Sequence, residues 1–385
     1  MPAPLSCPAL VLEAPGRLAL RELPAPEVAD DDALLRVEAC GLCGTDHEQF
    51  AGALPAPVGV PGHESVGVVE AIGASASERW GVVVGQRVAV EVFQSCRVCP
   101  ACRSGDYRRC EKHGIADMYG FIPADRSPGL WGGYARYQYL APDSMVLPVD
   151  PELDPVVATL FNPLGAGIRW GVQVPGTRPG DVVAVLGPGI RGLSVTAAAH
   201  DAGAGHIMVV GKGPGDAGRL ALAPSFGASA TVDSSLGDPV ATLMEACGRL
   251  ADVVVDVTAR APEALAQAVA LARPGGTVVL AGTRGSAQTP DFHPDLLVYK
   301  ELRVLGALGV DAPAYRAALD LLASGRYPFE NLPRLTVPLD PAAVGGLLTA
   351  MGGGTASEGS GGGHLDGGHH DGADRPVHGV VVPWR

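Results

Sequence analysis

Residues 181–211 read DVVAVLGPGIRGLSVTAAAHDAGAGHIMVVG, and this stretch decides the fold of the middle of the chain. An apolar run ends in Gly187, Gly189 and Gly192, spaced as GxGxxG. A helical pattern rich in alanine follows, and a second apolar run starts at His206. Strand, tight glycine turn and helix in that order present backbone N–H groups of a helix N-terminus to a pyrophosphate. Gly187, Gly189 and Gly192, with Ile190 and Arg191 between them, are the candidate cofactor-binding residues. The competing reading is a glycine-rich turn with packing duties alone.

Downstream, the apolar runs ATVD, ADVVVDV, GTVVLAG and LRVLGAL are separated by helical stretches. Buried β runs alternating with helices predict a doubly wound parallel sheet covered on both faces. At the end of the second run, Gly211 occupies the place where a ribose-binding carboxylate would normally stand. Without that carboxylate there is room for a 2′-phosphate, and Lys212 and Arg219 are near enough in sequence to pair with it. This favours NADP over NAD, against the alternative that both are solvated surface charges.

Upstream the character is all-β. Residues 11–38 alternate apolar and polar with frequent Pro and Gly, as short antiparallel strands do. The stretches ACGLCGTDHEQF (39–50) and PGHE (61–64) then supply Cys43, His63 and Glu64. A thiolate, an imidazole and a carboxylate form a donor set that zinc accepts with one position left open for water or substrate. The bland alternative is a small buried cysteine and an ordinary polar turn.

A run QRVAVEVF leads into CRVCPACRSGDYRRC, where Cys96, Cys99, Cys102 and Cys110 can close a tetrahedral shell around a structural zinc. Iron–sulfur ligation and a disulfide lobe are the competing readings. Residues 111–163 are irregular, with WGGYARYQYLAPDSMVLPVD reading as a strand pair, and a helix is expected from Pro155 into the central domain. An amphipathic helix after Asp311, a strand at LPRLTVPLD and a short helix at AAVGGLLTAM follow. Residues 352–375 are rich in Gly, Ser, His and Asp and read as a mobile insertion before a closing strand VHGVVVPW. His364, His369 and His370 within it could bind adventitious metal.

At 385 residues, the chain exceeds the roughly 250–300 residues at which one core stops growing, so two domains are expected. With 47% hydrophobic and 18% charged residues, it buries a sizeable core. A net charge of −13 without clustered Lys and Arg excludes a nucleic-acid partner. The sequence has no basic segment followed by an apolar leader, and no run of about 18 apolar residues, so no membrane association and a cytoplasmic location are expected.

Taken together, ACGLCGTDH, PGHESVGVVE, the cysteine quartet, NPLGAGIRW and VLGPGIRGL resemble the zinc-containing medium-chain dehydrogenase/reductase family, in its alcohol, polyol and threonine dehydrogenase-like branch. The resemblance implies a GroES-like catalytic β domain from residues 1–163 and 308–385, with a structural-zinc lobe at about 93–112. It implies a Rossmann domain over 164–307 inserted between the two segments. It further implies two zincs per chain, a small alcohol or ketone substrate, hydride transfer to or from NAD(P), and a homodimer or homotetramer. Cys43 and His63 would ligate the catalytic zinc, with Glu64 a ligand or close neighbour. Asp46 would orient the histidine and Thr45 would pass the substrate proton onward. Three positions depart from the pattern. Asn162 stands where Cys, Asp or Glu is usual as a fourth ligand, Glu48 stands at the relay-histidine position with His47 one residue earlier, and Arg191 replaces an apolar residue. A lyase or epimerase that recycles its nicotinamide, and a non-enzymatic cofactor-binding protein, remain open on the same scaffold.

Overall fold

The computed structural model describes residues 6–284, 288–351 and 376–385. The glycine-rich stretch 352–375, with His364, His369 and His370, lies outside the described residues.

Strands β1 (Ser6–Ala14) and β2 (Arg17–Pro24) form an antiparallel hairpin. Strands β3 (Ala33–Gly41), β4 (Glu64–Ile72) and β5 (Arg87–Val90) run antiparallel in one sheet. β6 (Tyr137–Leu140) pairs with β3, and β7 (Val146–Pro148) pairs with β5. The expected strand pair at 131–150 is thereby corrected: β6 and β7 each extend a different, already buried strand.

The middle of the chain builds the six-stranded sheet of β8 (Val182–Leu186), β9 (His206–Gly211), β10 (Ala230–Asp233), β11 (Ala251–Asp256), β12 (Ala272–Leu280) and β13 (Arg303–Gly306). All pairs are parallel, in the order β10-β9-β8-β11-β12-β13. Every residue of β8 is buried, as a strand covered on both faces requires. The order reverses between β8 and β11, the switch point beside which such sheets bind their ligands.

The chain then returns. β14 (Arg334–Val337) and β15 (His378–Val381) run parallel, and β15 pairs with β3, so both ends of the sequence share one sheet. The architecture is a Rossmann sheet inserted into a GroES-like β domain. The expected helix after Asp154 is segmented into Pro155–Ala158 and Phe161–Ile168, followed by a π-helical turn at Arg169–Gln173.

β15 is locked by His378, which is 1% exposed. Arg334 Nε donates to its Nδ1 at 3.2 Å, so the ring proton sits on Nε2, 3.3 Å from Thr159 Oγ1. Burial, and then the charge of Arg334, push its pKa from 6.5 down to about 3. The unfolded chain takes up a proton below about pH 6.5 that the folded chain refuses, so the stability from this site is lost as pH falls from 6.5 towards 3. By pH 5 the loss is about 2 kcal/mol, at roughly 1.4 kcal/mol per pH unit. Thermal melts of wild type and His378→Asn between pH 7.5 and 5 should show the variant with the flatter dependence.

Candidate active site

The candidate metal triad follows from the register of β3 and β4. Gly41 pairs with Glu64 and Cys40 with Ser65, so Cys43, just past β3, stands beside the start of β4. A Cβ on Gly41 would lie 2.4 Å from Glu64 Oε2, so glycine there leaves space for the carboxylate. The donor atoms of Cys43, His63 and Glu64 lie within 4.8 Å of one another, and all three residues are buried.

Cys43 caps the helix Gly44–Phe50, and its backbone N–H donates to Asp46 Oδ2 at 2.8 Å. That fold-back brings Asp46 Oδ1 to 3.4 Å from His63 Nδ1, so Nε2 is the nitrogen that could ligate a metal. Thr45 Oγ1 is 3.6 Å from Cys43 Sγ. His47 turns elsewhere, donating from Nδ1 to the Leu348 carbonyl at 2.9 Å. Asn162 is buried, and its Nδ2 donates to the Tyr315 hydroxyl at 2.9 Å.

The electrostatics fit a divalent cation. Burial pushes the Cys43 thiol up, but the positive charges of Arg191 and His63 pull it down to about 6. Burial, with the nearby Cys43 charge, raises Glu64 well above the usual carboxylate range. Burial opposes the His63 cation, yet Asp46 and Cys43 outweigh it and raise His63 well above 6.5. Anionic sulfur and a crowded carboxylate are relieved together by a metal ion.

The second group is Cys96, Cys99, Cys102 and Cys110, again with all sulfurs within 4.8 Å. Cys99 N–H points at Cys96 Sγ and Cys102 N–H at Cys99 Sγ, both at 3.4 Å, which is how a chain wraps a thiolate-bound metal. Burial raises Cys110, but backbone N–H donors bring it down to about 6. All eight cysteines are free thiols, which removes the disulfide reading for the lobe.

A cavity of about 510 Å³ opens at the switch point, lined by Gly187, Gly189, Arg191, Gly192, Gly211 and Thr258 among others. Gly192 packs so closely that a Cβ would lie 1.8 Å from the Gly187 carbonyl, whereas a Cβ on Gly189 would meet only open space. The first closes the turn and the second leaves the cavity room for a pyrophosphate. Ile190 opens the helix Ile190–Asp201.

The second strand ends at Gly211 without a carboxylate, yet one reaches the cavity from further along the chain. Asp216, five residues beyond Gly211, lines it and accepts from Lys212 N–H at 2.9 Å. Lys212 Nζ pairs with Glu263 at 2.5 Å, and Arg219 Nη1 lies 3.5 Å from Asp216. Among the described residues Arg219 Nε is buried without a hydrogen-bond partner.

Arg191, Trp170, Tyr315 and Phe121 are the residues near the triad that the sequence patterns did not single out for it. Arg191 Nη2 reaches Cys43 Sγ at 2.8 Å, and Phe121 packs on the His63 ring at 6.0 Å between centroids. No sequence spacing foretells contacts between residues so far apart.

The chain is a member of the zinc-containing medium-chain dehydrogenase/reductase family: residues 29–151 match the alcohol dehydrogenase GroES-like domain and residues 192–324 the zinc-binding dehydrogenase domain. It is an NAD(P)-linked zinc oxidoreductase of alcohols, which is favoured over the lyase, epimerase and non-enzymatic readings. It is 65% identical to a probable alcohol dehydrogenase of Mycobacterium tuberculosis, over 97% of this chain and 98% of that one. An erythritol/L-threitol dehydrogenase of Mycolicibacterium smegmatis is 31% identical over 89% of this chain and 94% of its own. A zinc-binding dehydrogenase from Sinorhizobium meliloti 1021 bound to NADP superposes with a TM-score of 0.78 at 29% identity, covering 98% of this chain and 100% of that one. Among the described residues no helix is long and apolar enough to cross a membrane.

Proposed function

We propose that this oxidoreductase acts on a small polyol or secondary alcohol, with Cys43, His63 and Glu64 holding a catalytic zinc and the four-cysteine group a structural one. The observation that carries the reading is the buried sulfur, nitrogen and oxygen triad lying close to the dinucleotide cavity, with Arg191 touching both. When bound, the metal supplies Lewis-acid polarisation of the substrate oxygen and the nicotinamide takes or returns the hydride. Asp46 keeps His63 in the tautomer that ligates through Nε2. Thr45, partly exposed beside Cys43, would hydrogen-bond the substrate hydroxyl and pass its proton onward to solvent, giving up its own as it takes the substrate's. Asn162 is held through Nδ2 by Tyr315, and Phe121 packs on His63 and covers it on one side. His47, engaged with Leu348, is a support for the helix Pro341–Met351 more than a relay. The test is a screen of polyols, alcohols and ketones with both nicotinamides, run beside zinc analysis. Turnover with one zinc per chain would remove the two-zinc assignment, and no turnover with any of them would remove the polyol reading.

For the cofactor, we favour NADP. Among the described residues Arg219 Nε has no hydrogen-bond partner and its Nη1 is only 3.5 Å from Asp216, while Lys212 is held only by an exposed ion pair with Glu263, so both could engage a 2′-phosphate. Lys212→Ala combined with Arg219→Ala is expected to raise KM for NADPH about tenfold while leaving that for NADH unchanged. An unaltered ratio would return the cavity to NAD.

The domain division we adopt is 1–163 with 308–385 for catalysis and 164–307 for the dinucleotide, with the lobe at about 93–112; the helix Phe161–Ile168 straddles the first boundary. We propose a homo-oligomer joined through the outer edge of β13, which among the described residues pairs with β12 alone and is close in sequence to Val298 and Tyr299, 72% and 77% exposed. Sedimentation of Val298→Asp, Tyr299→Asp should yield monomers from a wild-type dimer or tetramer. A monomeric wild type sinks the idea.

A further inference from the structure

We propose that Asp256 and Arg284 are positioning residues for the dinucleotide: together they hold the segment 257–261 as a fixed wall of the cavity, facing the glycine turn, and so tighten cofactor binding from behind that wall. The inference rests on the reading of the cavity as the dinucleotide site.

Val257, Thr258, Ala259 and Ala261 line the cavity, whereas Asp256 and Arg284 do not. Asp256 ends β11, and its side chain is 0% exposed. Its Oδ1 accepts from Thr258 N–H at 3.0 Å and from Thr258 Oγ1 at 2.6 Å, while Oδ2 accepts from Arg284 Nη2. Arg284 Nε in turn donates to the Ala261 carbonyl at 3.1 Å. One ion pair therefore grips both ends of the segment. Backbone hydrogen bonds tie the same segment to the turn after β12: the Asp256 carbonyl accepts from Ala281 N–H at 3.0 Å and Gly282 N–H at 3.1 Å, and Arg260 N–H donates to the Thr283 carbonyl at 3.1 Å.

A Cβ on Gly282 would lie 1.7 Å from the Thr258 carbonyl, and one on Gly187 would lie 3.2 Å from Thr258 Cγ2, so Thr258 is packed between the turn after β12 and the first glycine of the cofactor turn. Arg260 has a φ of 56°, in the left-handed region that a non-glycine residue keeps only where its surroundings hold it. A dinucleotide entering between this wall and the glycine turn meets a surface already set, and does not have to order it. The alternative is that the pair serves stability alone. The two roles differ in outcome, because replacing both members of a buried ion pair by neutral groups of similar size is often harmless to stability, whereas positioning is lost with them. Glu263, paired with Lys212, also feels the Arg284 charge, so a variant that keeps the charge belongs beside one that removes it.

The experiment measures the Kd of NADPH and of NADH by calorimetry on the zinc-replete protein, beside KM and kcat with the tighter of the two and a melting temperature. Arg284→Met is expected to weaken binding about tenfold and to raise the KM for the dinucleotide with it, while kcat changes less. Asp256→Asn combined with Arg284→Met leaves no lone buried charge, so it should melt close to wild type and still bind about tenfold more weakly. Arg284→Lys keeps the cation but not the fork that reaches Asp256 and Ala261 together, so it should recover only a small part of the loss. Wild-type affinity in Arg284→Lys would mean that charge and not position matters, and wild-type affinity in the double variant would mean that the pair serves stability alone. Either result overturns the proposal, and should the double variant not fold, Arg284→Lys decides. Gly189→Phe tests the cavity itself, because a side chain there projects into open space and should abolish binding. If Gly189→Phe binds as wild type does, or if the wild type binds neither dinucleotide, the reading of the cavity fails and takes the proposal with it.

Discussion

Replacing Cys43 by serine is expected to abolish turnover, by more than about a thousandfold in kcat/KM, while the protein stays folded and keeps one zinc per chain. Loss of a partner behind a metal ligand typically costs 10–100-fold, and here the ligand itself is removed. The size of the effect comes from charge. Burial alone would keep a thiol protonated at this position, but Arg191 and His63 bring Cys43 down to about 6, so it is a thiolate at neutral pH. A serine hydroxyl in the same place stays neutral and offers a divalent ion little. It also leaves Arg191 without its anion and Glu64 with one fewer competitor for positive charge. The structural site should be untouched, because its four sulfurs form a separate group. Zinc analysis and steady-state kinetics on the same preparation check the prediction. Asp46→Asn gives the graded comparison. It keeps the size of the side chain that receives Cys43 N–H but loses the charge facing His63, so a smaller fall of about 10–100-fold is expected. A Cys43→Ser protein that retained both zincs and its activity would remove Cys43 from the metal.

The parts of this molecule that could be read from the sequence are those in which a short stretch carries its own physics. The apolar run before Gly187 and the helix after it form a strand-turn-helix whatever lies around them, and the structure has them at Val182–Leu186 and Ile190–Asp201. Four cysteines within fifteen residues can gather with little help from the rest of the chain. Cys43, His63 and Glu64 were legible for a related reason, since the strands that bring them together are neighbours in sequence as well as in the sheet. What was not legible depends on distant approach. β6 and β7 looked like partners because they are adjacent in sequence, but β3 and β5 had free edges to offer each of them. Asp216 escaped notice because the carboxylate was expected at the strand end, whereas it comes back to the cavity from the short turn before the helix Ala217–Leu222. Arg191 could be located in the glycine turn but not interpreted. Its partner is Cys43, across the cleft, and only the packing of one domain on the other brings them into contact.

The four-cysteine lobe is expected to matter at the active site, although it holds no open position for substrate. Cys110→Ser should lose one zinc per chain, lower the melting temperature by several degrees, and reduce kcat about tenfold with the catalytic zinc still in place. The path is physical. The short turn Tyr107–Arg109 precedes Cys110 directly, so its shape depends on where that cysteine is held. Arg108 Nη1 donates to Asp311 at 3.0 Å, and the same carboxylate oxygen accepts from Arg169 Nε at 3.1 Å, next to Trp170 under Arg191. Asp311 also caps the helix Ala312–Ala323 by accepting from Ala314 N–H at 3.1 Å. Tyr107 donates to buried Glu91 at 2.7 Å while its hydroxyl accepts from Ala312 N–H at 2.5 Å. That helix carries Tyr315, whose hydroxyl accepts from Asn162. Releasing the metal frees the turn, and the turn is what holds Asp311 and the first residues of the helix in place. Arg108→Ala separates this path from general damage. It leaves all four cysteines and both zincs, removes one hydrogen-bonded charge on Asp311, and should reproduce part of the fall in kcat with a smaller fall in melting temperature, since hydrogen bonds to charged groups contribute about 1.5–3 kcal/mol. If Arg108→Ala has wild-type kcat while Cys110→Ser does not, the lobe acts through overall stability alone and the path through Asp311 is wrong.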